Sequence, residues 1–193
     1  MKRQELSRLL RMASQITEDD QIVVVGSQAI LGSVDEARLP SRATLSQEVD
    51  LMFLHDGDRR KADLVNVHIG EMSPVQEELG IYAEGVHRET IVLPTGWRKR
   101  TIAWHLEPGA TRFLERHDLC ASKLARGEMK DLAFVGALVG AGLIETAVMV
   151  ARCRMLQAEP AVVQAAVTRA SAFVGQGPAQ PTARSARIDP RRP

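Results

Sequence analysis

Leu6, Leu9, Leu10, Met12 and Ala13 recur at the spacing of one helical face, so residues 4–16 are predicted to form an amphipathic helix. A polar turn over 17–20 separates it from the β-branched run 21–25 (QIVVV), which predicts a buried strand. Gly26 and Ser27 end that strand, residues 28–31 begin a helix stopped by Gly32, and the polar segment 33–45 reads as a loop. Residues 47–54 (QEVDLMFL) predict a second strand, 57–72 a helix, and Pro74 the start of another short helix or turn. Residues 81–107 carry strand signals: 81–83, then ETIVLP, a turn at Pro94-Thr95-Gly96, and RKRTIAWHL, together read as a hairpin. From Ala110 to about Phe173 the pattern is helical, with breaks near Gly127, Gly140–Gly142 and Pro160.

This order predicts an α+β fold: a mixed sheet with flanking helices, followed by a helical C-terminal half. The expected division is an α/β core over 1–109, a helical part over 110–174, and a basic tail over 175–193 (GQGPAQPTARSARIDPRRP) whose composition predicts disorder. The length of 193 residues suits one domain with a helical extension, and no internal repeat is visible. With 4% aromatic residues the core must be aliphatic. A net charge of +1 gives no global polyelectrolyte character, so a nucleic-acid partner would be met by a local patch. Cys120 and Cys153 lie in helical patterns outside any CxxC or Cys/His cluster, which argues against zinc and for buried thiols in a reducing cytoplasm. The charged N-terminal pattern lacks a signal-peptide apolar run, and no stretch approaches the ~20 apolar residues of a membrane span. A cytoplasmic chain with no membrane partner is expected.

Candidate chemistry gathers at two strand positions. A glycine directly after a buried strand admits close approach of a ligand to the backbone. The helix start behind Gly26 offers free N–H groups to phosphate, and Ser27 is placed to cap it. In the second strand Glu48 and Asp50 stand at alternate positions and share a face, while Val49 and Leu51 point the other way. Two such acids need a cationic partner, either a magnesium ion or an arginine. There is no GxxxxGK[ST] loop and no GxSxG elbow, and the five histidines show no metal-ligand spacing.

The combination VVVGSQAILGS (23–33) followed by TLSQEVDLMFL (44–54) resembles the nucleotidyltransferase superfamily pattern of strand, Gly-Ser, and an acid-x-acid strand. Glu48 stands where that family shows its first Asp, and its longer arm shifts the position of any ion. Residues 117–131 (HDLCASKLARGEMKD) resemble the corresponding stretch of AbiEii-type nucleotidyltransferases, known as toxins of toxin–antitoxin pairs. The resemblance spans roughly 20–145 and takes in the turn at 93–97 and Arg100, which resembles a family hairpin. It implies that Glu48 and Asp50 hold Mg2+ or Mn2+, that Gly26 and Ser27 cradle a nucleoside triphosphate, and that the Lys123 and Arg126 face neutralises its charge. Lys130 and Asp131 complete the second motif. A solvated charged face is the alternative reading of Lys123, Arg126 and Asp131. For a third carboxylate, Glu89 at the head of ETIVLP is the positional candidate, with Glu84 behind it. The implied activity is transfer of a nucleotidyl group to an acceptor such as RNA (tRNA) or a protein, with a cognate antitoxin as a possible partner. A catalytically degenerate nucleotide- or partner-binding module, or a regulatory partner acting through the basic tail, are the alternatives.

Overall fold

A computed structural model describes residues 1–105 and 110–175. The most apolar short run in the first half, β1 (Ile22–Val24), is buried along its whole length and sits at the centre of a five-stranded sheet. A strand covered on both faces reads as continuous β-branched residues rather than an alternation, as here. On one side β2 (Glu48–Phe53) pairs antiparallel, with Ile22 opposite Phe53, and β3 (Tyr82–Gly85) pairs parallel to β2. On the other side β5 (Ala110–Phe113) runs parallel to β1, and β4 (Ile102–His105) lies antiparallel on its far edge. The strand order is therefore β3-β2-β1-β5-β4, a mixed sheet.

The first helix, α1 (Arg3–Thr17), buries Leu6, Leu9, Leu10 and Ala13, the face its periodicity marked. It packs on α3 (Arg60–Ile69), which lies against β3. Their approach is close enough that a Cβ on Gly85 would stand 2.2 Å from the Ala62 carbonyl oxygen. Short helices α2 (Ile30–Ser33), α4 (Pro74–Leu79) and α5 (Trp97–Arg100) fill the connections. The C-terminal half consists of α6 (Arg116–Arg126), α7 (Met129–Gly140), α8 (Thr146–Arg154) and α9 (Pro160–Ser171). The Glu115 carboxylate caps α6 by accepting from the His117 and Asp118 amides, and α6 ends at Gly127 in the left-handed region, φ 71°. Arg169 of α9 donates to the free Leu124 carbonyl at 2.7 Å. One buried cluster runs from Leu6 through the sheet to Ala170, so sheet and helices share a core. Cys120 and Cys153 are free and buried within it. Among the described residues no helix is long and apolar enough to cross a membrane.

The α+β class and the mixed sheet agree with the sequence pattern, and three local readings are corrected. ETIVLP is not a strand. Residues 88–90 form a 3-10 turn, Leu93 is fully buried, and the backbone of this segment bonds to the end of α8 through Thr95 N to Met155 O and Gln157 N to Leu93 O. Pro94 has no N–H to give a ladder. The hairpin joins β4 to β5 instead, with Ile102 opposite Phe113. Ala110–Phe113 accordingly is strand, not helix: four residues are too few to show a period, and the open edge of β1 decides them. Gly32 does not stop α2, which continues to Ser33; it is small because a Cβ there would stand 2.3 Å from Phe113 Cβ. The tail beyond residue 175 lies outside the described residues.

The helical layer is tied to the hairpin region by a fully buried carboxylate. Asp118 of α6 accepts from Arg100 Nε at 2.9 Å and Nη2 at 3.1 Å, and Arg152 Nε of α8 stands 3.0 Å away. Burial still pushes the Asp118 carboxyl above its ordinary value despite the arginines beside it. The pairing thus offsets desolvation rather than exceeding it, and the large cost falls on removing one partner. Asp118→Ala should lower unfolding stability by about 3 kcal/mol, read as a shift in the urea midpoint.

Candidate functional site

The register of β2 against β3 builds the site. Glu48 lies opposite Tyr82 and Asp50 opposite Glu84, so alternation puts all four side chains on one face of the sheet. Val49 and Leu51, the intervening residues, are fully buried on the other face. Carboxylate oxygens of Glu48, Asp50 and Glu84 lie within 4.8 Å of one another. Tyr82 Oη donates to Glu48 Oε2 at 3.0 Å. Burial, together with the neighbouring Glu48 charge, holds the Tyr82 phenol well above its ordinary value, so it remains a donor.

Gly26 makes room for this cluster. A Cβ at position 26 would stand 1.5 Å from Asp50 Oδ2, which no side chain can occupy. Its φ of −75° is ordinary, so space rather than backbone freedom requires the glycine. The expected cap is corrected: the 3-10 turn Ser27–Ala29 has Gly26 at its N-cap position, and no side chain caps it or α2. The Ser27 residue instead lines the cleft.

Across a cleft of about 830 Å³ stand the cations of α6. Lys123 is buried, lies 4.7 Å over the Phe134 ring, and donates to Asp131 Oδ1 at 3.1 Å. Arg126 binds both oxygens of Asp131 at 2.7 Å each. Burial would raise the fully buried Asp131 carboxyl, but Arg126 and Lys123 hold it below its ordinary value. Lys123 is therefore not on a freely solvated face, whereas Arg126 stays half exposed. Lys130 is exposed at the cleft edge and pairs with Glu128 at 3.3 Å. Leu119, Ile91, Val92, Phe134 and Val162 supply apolar wall to the same cleft.

Of the residues singled out in the sequence, Gly26, Ser27, Glu48, Asp50, Lys123, Arg126, Lys130 and Asp131 line one cleft. Arg100 does not; it is spent on Asp118. Glu89 is exposed in the turn at 88–90, with Arg59 at 3.8 Å and His87 at 3.6 Å, and Glu84 takes the third place beside Glu48 and Asp50. Tyr82 was missed. Its signal was the i, i+2 spacing to Glu84 in a strand that pairs with the acidic one.

The donor set can be tested against a divalent cation. Among the described residues no arginine or lysine forms an ion pair with Glu48, Asp50 or Glu84, so the arginine alternative for the acid pair is not realised. Burial, then Glu48 and Glu84, push Asp50 up to about 7, with Lys123 opposing. Burial and Glu48 likewise raise Glu84. Three oxygen donors at this separation, with no cation ion-paired to them among the described residues, fit a hard cation such as Mg2+ or Mn2+.

An acidic cluster and a buried lysine thus face each other across one cleft. Residues 4–155 match the family described as nucleotidyltransferase of unknown function (DUF6036), and the chain belongs to that family. No curated protein and no solved structure matches the chain.

The raised Asp50 carboxyl has a stability consequence of definite sign. From the ordinary value near 3.8 up to about 7, the native state binds more protons at Asp50 than the unfolded state does. Stability of the metal-free protein therefore falls as pH rises through that window, and is flat above it as far as this group is concerned. Asp50→Asn removes the effect. Its thermal midpoint should exceed that of the wild type at pH 8 and match it near pH 4, and Mn2+ should raise only the wild-type midpoint.

Proposed function

We propose that this protein is a metal-dependent nucleotidyltransferase acting on a nucleoside triphosphate. The observation that carries the reading is the Glu48, Asp50, Glu84 cluster facing Lys123 across one cleft. Glu48, Asp50 and Glu84 would hold Mg2+ or Mn2+, which supplies Lewis-acid charge to the phosphates. Lys123, fixed by Asp131, brings positive charge to the triphosphate from the opposite wall. Gly26 leaves room at the strand end for the Asp50 carboxylate, and the apolar wall of Leu119, Phe134 and Val162 suits the nucleoside. The acceptor hydroxyl forms a bond to the α-phosphorus, the bond to the β-phosphate oxygen breaks, pyrophosphate leaves, and the hydroxyl proton passes to the carboxylate cluster.

Calorimetry with each nucleoside triphosphate, with and without Mg2+, tests the site. Wild-type binding should require the metal, and Asp50→Ala should weaken it at least a hundredfold, about 2.7 kcal/mol. Transfer of label from an α-labelled triphosphate then separates an enzyme from a binding module, which would bind without transfer. No metal-dependent binding to the folded wild type would overturn the reading.

An RNA acceptor is favoured by a basic face beside the cleft. Arg88 and Arg98 lie 5.8 and 5.6 Å from the Trp97 ring centre, with Lys99 exposed next to them. Among the described residues none of the three is ion-paired. Burial and then Arg98 lower the Arg88 guanidinium below its ordinary value, so the pair is electrostatically uncompensated. Arg88 donates at 2.7 Å to the carbonyl of Ile91, a residue of the cleft wall, which joins this face to the site. The AbiEii-type resemblance of 117–131 agrees with an RNA acceptor and with a toxin role opposed by an antitoxin. The double substitution Arg98→Glu with Lys99→Glu should weaken RNA binding at least tenfold and flatten its salt dependence by about 1.4 in log–log slope, while triphosphate binding stays unchanged. Filter binding of a single-stranded RNA across a salt series reads both quantities.

A further inference from the structure

We propose that Tyr82 is the positioning residue that fixes the Glu48 carboxylate as a one-oxygen metal ligand and so sets which divalent cation the site takes. This inference rests on the metal reading of the acidic cluster given above. A strand glutamate has one more rotatable bond than an aspartate, so without restraint Glu48 would present its carboxylate to the cluster in several ways. Tyr82 removes that freedom. It stands directly opposite Glu48 in the β2–β3 ladder, on the same sheet face, and its phenol donates to Oε2 at 3.0 Å. The phenol thus engages Oε2, while the Glu48 carboxylate also lies against those of Asp50 and Glu84 in the cluster.

The chemistry of the two common biological cations makes this restraint selective. Mg2+ and Mn2+ favour octahedral sites built from single carboxylate oxygens, whereas Ca2+ takes more ligands at longer range and readily accepts both oxygens of one carboxylate. A glutamate with one oxygen already engaged favours the first pair and denies Ca2+ its extra ligand. Partners of this kind behind a metal ligand typically contribute 10–100-fold to affinity. Phenylalanine keeps the packing of the half-buried ring and removes only the hydroxyl.

The test is titration of the full chain with Mn2+ and, separately, Ca2+, without nucleotide. In Tyr82→Phe the Mn2+ dissociation constant should rise tenfold or more while that for Ca2+ does not rise, so the selectivity ratio falls. In a Glu48→Asp background the shorter arm does not reach the phenol, and Tyr82→Phe should then change Mn2+ affinity less than twofold. A purely packing role would give the same loss in both backgrounds. Tyr82 is the only tyrosine in the sequence, so its ring carbon signal in labelled wild type is unambiguous and should shift on Mg2+ titration; this readout stands if the variant does not fold. Unchanged Mn2+ affinity in folded Tyr82→Phe, or equal losses of Mn2+ and Ca2+ affinity, would overturn the role of Tyr82 and leave the metal site standing. Absence of any Mn2+ binding to wild type would overturn both.

Discussion

Three carboxylates within 4.8 Å of one another, two of them partly withdrawn from water, are the constraint around which this molecule is arranged. Mutual repulsion and desolvation both oppose such a cluster, and only a rigid support keeps its members together. The support is the sheet. β2 is held between β1 and β3, so its register cannot slip by one residue without exposing Val49 and Leu51 and burying Glu48 and Asp50 in the core. Apolar burial on one face therefore enforces charge proximity on the other. Gly26, at the end of β1, keeps open the volume that the Asp50 carboxylate occupies.

The opposite wall solves the complementary problem. Lys123 and Arg126 would repel each other and wander if unpaired, and the fully buried Asp131 holds both. Lys123 and Arg126 thus belong to α6 while their anchor belongs to α7, and the acids belong to the sheet. The cleft exists because the helical half packs against the strand half through one continuous core. Asp118, gripping Arg100 and Arg152, fastens the same helix to the segment after the cleft wall. Membership of a nucleotidyltransferase family fits this division of labour between an acidic sheet and a basic helix.

Where a sequence signal was local and periodic, it was sufficient. The face of α1, the buried β1, the alternation of Glu48, Val49, Asp50 and Leu51, and the breaks between the C-terminal helices all follow from residue type and spacing over one element. β5 failed that test because four residues carry no period, and only the unpaired edge of β1 makes them a strand. The run ETIVLP failed for the opposite reason. It has strand composition, yet Pro94 cannot donate and Leu93 is drawn into the core, so its backbone bonds to α8 instead.

The sequence by itself determined the α+β class, the acidic strand, and the lysine and arginine of one helix face, because each is written in neighbouring residues. Only the tertiary structure decided that Glu84 rather than Glu89 joins Glu48 and Asp50, that Arg100 serves Asp118, and that Tyr82 faces Glu48. The choice of Glu84 and the place of Tyr82 depend on which strands pair and in what register, and the Arg100–Asp118 pair on how two helices pack. Pairing between segments more than thirty residues apart is fixed by burial and ladder hydrogen bonds over the whole sheet, not by anything local to the residues concerned.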